Sequence, residues 1–192
     1  MDNGSVTAYR DASRFLVEAV RAVPDSGWDA PGLGDWNVRE LVGHANRGHT
    51  TVADYLVRPQ QPEPPGSTYF SDEAIAARGR EAVRALGADP ASAVAAASTA
   101  VVELIEQSPP DAKIGSPAGT MTLAQFLPSR TAELTIHALD IVRAIGADLS
   151  APPTALRESL VYVAQRAAGK SGQDVLLALS GRAPLPAGYS VY

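Results

Sequence analysis

The segment TLAQFLPSRTAELTIHALDIVRAIG, residues 122–146, carries the longest helical pattern in the chain and constrains its fold most. Its ends are marked. Thr122 with Gln125 three residues on makes a capping box, and Gly146 stands where a C′ glycine closes a helix. The spacing predicts a long helix from about Leu123 to Ile145. Pro128 lies inside it without a backbone N–H, and is expected to kink it or to split off a first short turn. A glutamate, a histidine and an aspartate are strung through its otherwise apolar stretch ELTIHALD, residues 133–140, where each costs free energy to desolvate.

Other segments repeat the helical period. Phe15, Leu16, Ala19, Val20 and Val23 place a first helix over about Ser5 to Ala22, stopped by Pro24. After the turn-rich PDSGWDAPGLGDW comes NVRELVGHANRGHTTVADYL, where Asn37 with Glu40 fits a variant capping box and Trp36 can staple the entry. Pro59 ends that helix. A helix from about Asp72 to Leu86 starts behind Ser71, and another runs from about Ala91 to Gln107 before Pro109 and Pro110. GSPAGT reads as a loop, and 153–169 and 172–180 read as shorter helices before a Pro/Gly tail. No strand pattern and no internal repeat stands out. The fold expected is an all-α, four-helix bundle with additional short helices. It is expected as one domain over residues 1–192, with the bundle over about 5–146 and a short extension over 147–192.

Composition narrows the function. A net charge of -5 and a pI near 5.2 argue against nucleic-acid binding, which needs a basic stripe. Alanine is abundant while Ile and Phe are scarce, which favours helix over sheet. The chain has no cysteine, so it has no disulfide, no cysteine-ligated zinc and no cysteine nucleophile of its own. No apolar run approaches the roughly 20 residues that span a bilayer, and MDNGSVTAYR has no signal-peptide core. These features predict a cytoplasmic protein without a membrane partner. Exposed helical faces leave a homodimer open.

Polar groups recur on inner faces. Leu41, Ala45, Val52 and Tyr55 mark a stripe on the second helix, and His44 lies on it. On the long helix, Glu133 and His137 are four apart and project from one face, and Asp140 continues that edge. One imidazole from one helix and a Glu/His pair from another make the ligand set of catalytic zinc sites, which keep a further position open. Asp140 suits the position behind a ligating histidine, accepting its free N–H. The same spacing also suits hydrogen-bonded core histidines or a solvated i,i+4 pair, so spacing leaves both readings open. His49, five residues after His44, is expected on the surface.

Two of these stretches carry a resemblance. DWNVRELVGH resembles the "W-t-v-r-e-L-v-x-H" signature of the mycothiol-dependent maleylpyruvate isomerase family, within the DinB-like superfamily. RTAELTIHALDIVRAIG resembles its second signature, roughly R-x-x-E-x-x-x-H-x-x-D-x-x-x-A-x-G, and LLALSGRAPLP is similar to the ending of many short members. The resemblance implies a DinB-like bundle holding a divalent metal, zinc or alternatively nickel, through His44, Glu133 and His137. It also implies mycothiol, the low-molecular-weight thiol of actinobacteria, as cofactor or co-substrate. Reactions of such members include isomerisation of maleylpyruvate and transfer of the thiol to electrophiles. The isomerases proper carry a further C-terminal domain, and the roughly 46 residues after Gly146 are expected to be too few for it.

The function expected is therefore that of a metal-dependent thiol S-transferase or isomerase acting on a small electrophile. The metal lowers the pKa of an entering thiol, whose sulfur is then the nucleophile. Arg130, three residues before Glu133 and at the family's arginine position, and Arg47, three after His44, are candidates to clamp a carboxylate. Arg130 and Asp140 are assigned to the chemistry, and Arg47 to holding the thiol cofactor. The stretch PQQPEPPGSTYF, residues 59–70, can be a lid or, more commonly, a plain connection. Two alternatives remain: a hydrolase using metal-bound water, and a non-catalytic bundle that binds metal or a ligand.

Overall fold

The structure, a computed structural model, describes residues 3–191. Met1 and Asp2 of the MDNGSVTAYR stretch and Tyr192 of the tail lie outside the described residues. Helix α1 spans Asn3–Arg21, α2 Val38–Val57, α3 Asp72–Ala85, α4 Pro90–Gln107, α5 Leu123–Ile145, α6 Pro153–Ala168 and α7 Gly172–Leu179. Helices α1, α2, α4 and α5 form the bundle. α1 and α2 each pack against both α4 and α5, so the two pairs sit on opposite diagonals. α3 leans on α2, α6 packs across α1 and α5, and α7 follows α6.

The ends form as their sequences dictate. Asn37 Oδ1 accepts from the Glu40 amide while Glu40 reaches back to the Asn37 amide, and Thr122 and Gln125 do the same for α5. Each cap is worth about 1 kcal/mol. Ser71 caps α3, and Gly146 closes α5 in the left-handed region at φ 65°. α5 runs unbroken through Pro128, so no separate first turn splits off. The site lies near the helix start, so only the bond to the Ala124 carbonyl is forfeited.

Two antiparallel hairpins depart from the strand-free expectation. β1 (Pro31–Leu33) pairs with β2 (Trp36–Asn37), and β3 (Lys113–Ser116) with β4 (Gly119–Thr122). GSPAGT is therefore a hairpin and not a loop, turning at Pro117 and Ala118, with Gly119 opening β4 at φ 132°. The 59–63 connection is tied to it, since the Gln60 amide donates to the Gly115 carbonyl and the Glu63 amide to that of Pro117, both at 2.9 Å.

Tyr9, Phe15, Leu16, Leu41, Leu134 and Ile141 are among the largest fully buried side chains. Two glycines let α2 meet its neighbours closely. A Cβ on Gly43 would lie 2.9 Å from Val83 of α3, and one on Gly48 would lie 2.6 Å from Leu134 of α5. His49, expected on the surface, is fully buried. α2 has helices on several sides, so a side chain turned away from one apolar stripe meets another helix and not water. Its Nε2 lies 2.9 Å from Ser13 Oγ, which lies 2.6 Å from Ser98 Oγ, and its Nδ1 lies 3.0 Å from Asn46 Oδ1. Among the described residues no single helix is long and apolar enough to cross a membrane, although α3 and α4, bent by 103°, pass together by length and composition.

Candidate metal centre

The close approach of α2 and α5 at Gly48 and Leu134 sets the site. His44 lies one turn before Gly48, and Glu133 is next to Leu134, so the contact brings their side chains to one spot. One donor atom each from His44, Glu133 and His137 lie within 4.8 Å of one another. His137 Nε2 is 3.5 Å from Glu133 Oε2, and its ring meets that of His44 edge-on, centroids 4.9 Å apart at 89°. Trp36 covers His44 from the other side at 4.7 Å.

Asp140 Oδ2 sits 3.2 Å from His137 Nδ1, accepting a hydrogen bond from its N–H and leaving Nε2 aimed at the cluster. The six residues expected at the site thus fall into a group of four, with the two arginines in the cavity beside it. Arg47 and Arg130 line a cavity of about 250 Å³ that opens on His44 and Glu133. The Arg130 guanidinium lies over the Phe126 ring at 5.2 Å, and its Nε donates to Ser129 Oγ.

The cavity has further members that motif reading did not single out. Arg78 of α3 stacks on Tyr69 at 4.0 Å, Tyr69 shares a hydrogen bond with Tyr55, and Ser116 comes from the β3–β4 hairpin. Tyr69 and Phe70 belong to the 59–70 connection, which forms a wall of the cavity. The sequence leaves this stretch between a lid and a plain connection, since a run of prolines has no periodicity; its aromatic end, STYF, is the part that reaches the cavity.

Charges in the cluster are set by its neighbours. Burial, aided by the nearby His137 and arginines, pushes His44 down to about 4, so it is neutral at pH 7. Burial also works against His137, but hydrogen bonds to Asp140 and Glu133 outweigh it and carry its pKa up to about 9. Burial opposes ionisation of Glu133, yet the hydrogen bond from His137 and the charge of Arg130 hold it below the usual carboxylate range. These neighbours set a neutral imidazole at His44 beside a His137 imidazolium hydrogen-bonded to Glu133 and Asp140.

The donor set fits a divalent ion. Two imidazoles and a carboxylate are the ligands of open catalytic zinc sites, and such ligands around one ion sit roughly 3.4 Å apart, near the 3.5 Å found between His137 and Glu133. An all-α bundle that gathers two histidines and a glutamate between two of its helices defines a class of helical-bundle proteins equipped to hold a metal. More particularly, the chain belongs to the mycothiol maleylpyruvate isomerase N-terminal domain family, whose model matches residues 9–142 and thus all of α2 and the three candidate ligands. That membership agrees with a DinB-like placement and ties the chain to mycothiol-related enzymes. No curated protein and no solved structure matches it.

Proposed function

We propose that the chain is a cytoplasmic, metal-dependent enzyme that activates mycothiol, or a similar low-molecular-weight thiol, for attack on a small electrophile. The observation that carries the reading is the convergence of His44, Glu133 and His137 beside an arginine-lined cavity in a cysteine-free chain. Zinc is the ion assigned, with nickel as the alternative. Once bound, it supplies positive charge that lowers the pKa of a thiol reaching its open position.

The chain's own groups do the rest. His44, already neutral, would offer its lone pair without losing a proton, whereas His137 would have to release one to serve as a ligand. Asp140 holds the His137 ring in place and keeps its Nδ1 proton. Arg47 and Arg130 stand ready to hold a carboxylate of the electrophile, or to donate to hydroxyl and amide oxygens of the thiol. The reaction forms one S–C bond. The thiol proton leaves to solvent, and the electrophile either loses its leaving group with the bonding pair or takes up a proton after addition. Residues 147–192, with α6 and α7, are assigned to the same functional unit.

Cobalt substitution tests the reading. Adding thiol to the cobalt protein near neutral pH should give a sulfur-to-metal charge-transfer band, and His44→Ala should give none. Because the chain has no cysteine, any such band comes from the added thiol. A cobalt protein that turns over substrate without the band, or without any thiol, would move the chemistry to a metal-activated water.

A further inference from the structure

α3 is anchored unevenly. None of its residues is buried, and it meets α2 closely where Val83 fits against Gly43. Along the face of α3 from Asp72 to Arg84, beside that contact, the two helices leave a groove of about 670 Å³, within the size range of small-molecule sites. Its walls are apolar: Trp36 on one side, and Ile75, Ala76 and Gly79 of α3 on the other. Ile75 is 47% exposed and Trp36 37%, so both leave apolar surface in water that an occupant would cover. Its inner end is His44, which also lines the arginine-rich cavity. The candidate metal centre therefore has two approaches that meet on one ligand.

Gly79 is the telling residue. It sits in mid-helix, where glycine is a poorer helix former than alanine. Unlike Gly43, it answers no packing demand, because a Cβ there would meet nothing within 4 Å. Its backbone is not left-handed either. What its missing side chain provides is open space along the groove. With Ala76 it makes a flat, low wall on the side away from Trp36, a slot suited to a planar ring.

The two approaches differ in charge. The cavity holds Arg47, Arg78 and Arg130 against Glu133, and suits anionic and polar groups. The groove is rimmed by Glu40 and Asp72 against Arg80 and Arg84, and favours neither sign. Resting on the thiol-transfer reading above, we infer that the groove binds the aromatic ring of the electrophile while the polar body of the thiol occupies the cavity. With an aryl chloride, the S–C bond forms as the C–Cl bond breaks, chloride leaves with the bonding pair, and the thiol proton goes to solvent.

The test uses the full-length, metal-loaded protein in a Trp28→Phe background, which leaves Trp36 as the one indole. 1,3-Dinitrobenzene, planar, unreactive and a fluorescence quencher, should quench Trp36 saturably. Gly79→Leu fills the slot and should weaken that binding roughly tenfold or more, with metal content unchanged and Tm no lower. It should also raise KM for 1-chloro-2,4-dinitrobenzene with mycothiol by a similar factor, and leave KM for iodoacetamide, which needs no ring slot, unaltered. Ala76→Leu, on the same wall, reads the same loss should Gly79→Leu not fold. If either folded variant leaves quenching and KM untouched while metal and thiol turnover persist, the groove assignment is overturned and the thiol chemistry stands. If quenching responds to the variants but wild type needs no metal or thiol, the groove's role as an electrophile site falls together with the reaction.

Discussion

Lowering the pH should destabilise this protein through His49, a residue outside the candidate centre. Its ring is fully buried between α1, α2 and α4, and burial pushes its pKa down to about 4. Its hydrogen bonds suit the neutral form: Nδ1–H donates to Asn46 Oδ1, and Nε2 accepts from Ser13, which accepts from Ser98. In the unfolded chain the same imidazole titrates near 6.5. Between these values the unfolded state binds the extra proton, so stability rises with pH there. The contribution is present in full above about 6.5 and is lost as pH falls toward 4. At about 1.4 kcal/mol per unit, the loss between pH 7 and pH 4 is about 3 kcal/mol. For a slope of about 2–3 kcal/mol per molar urea, the unfolding midpoint should drop by roughly 1–1.5 M from this residue alone. His49→Gln keeps a donor and an acceptor but does not titrate. Subtracting its pH profile from that of wild type isolates His49, because the other titrating groups are common to both. Parallel profiles for the two proteins between pH 7 and pH 4 would refute the reasoning.

Glu133→Gln and His137→Ala should each lose most bound metal in elemental analysis while circular dichroism stays helical, since two ligands hold an ion poorly where three are needed. Asp140→Asn should be milder, lowering metal affinity or activity by about 10–100-fold, because it frees the His137 ring without removing a donor. Metal binding at pH 7 should release about one proton per ion, taken from His137; calorimetry in two buffers of different ionisation enthalpy reads this directly. Gly48→Ala should lower both Tm and metal affinity. Its Cβ would crowd Leu134 at 2.6 Å, and the overpacking cost of about 1–3 kcal/mol exceeds the helix gain of up to about 1 kcal/mol.

Where the chain carries strong periodic pattern and caps, its structure was readable from the letters. α5 begins and ends where Thr122, Gln125 and Gly146 say it should, and the Glu133, His137 and Asp140 edge follows from three-and-four spacing. Convergence of His44 on that edge was suggested by motif resemblance and required the fold to bring α2 and α5 together. Three features escaped for identifiable reasons. His49 was misread because a single-stripe picture treats the far side of a helix as solvent, whereas α2 packs on several neighbours. The β3–β4 hairpin has four-residue strands with Gly and Ser in them, too short and too polar to show alternation. The groove beside α3 arises from how α3 lies against α2, which no local pattern encodes.

The Gly48–Leu134 contact brings together residues from α2 and α5 that lie far apart along the chain. An ion held by His44, Glu133 and His137 would close a loop of about ninety residues that includes α3, α4 and the β3–β4 hairpin. In a chain without cysteine it would take the place of a cross-link. At a free metal concentration one hundred times the dissociation constant, that bridge adds about 2.7 kcal/mol to the folded state. On the proposed reading, scarcity of the metal would then do more than withhold activity. It would raise the unfolded fraction about a hundredfold and expose the chain to proteolysis, so that the amount of protein in the cell follows the supply of its ion.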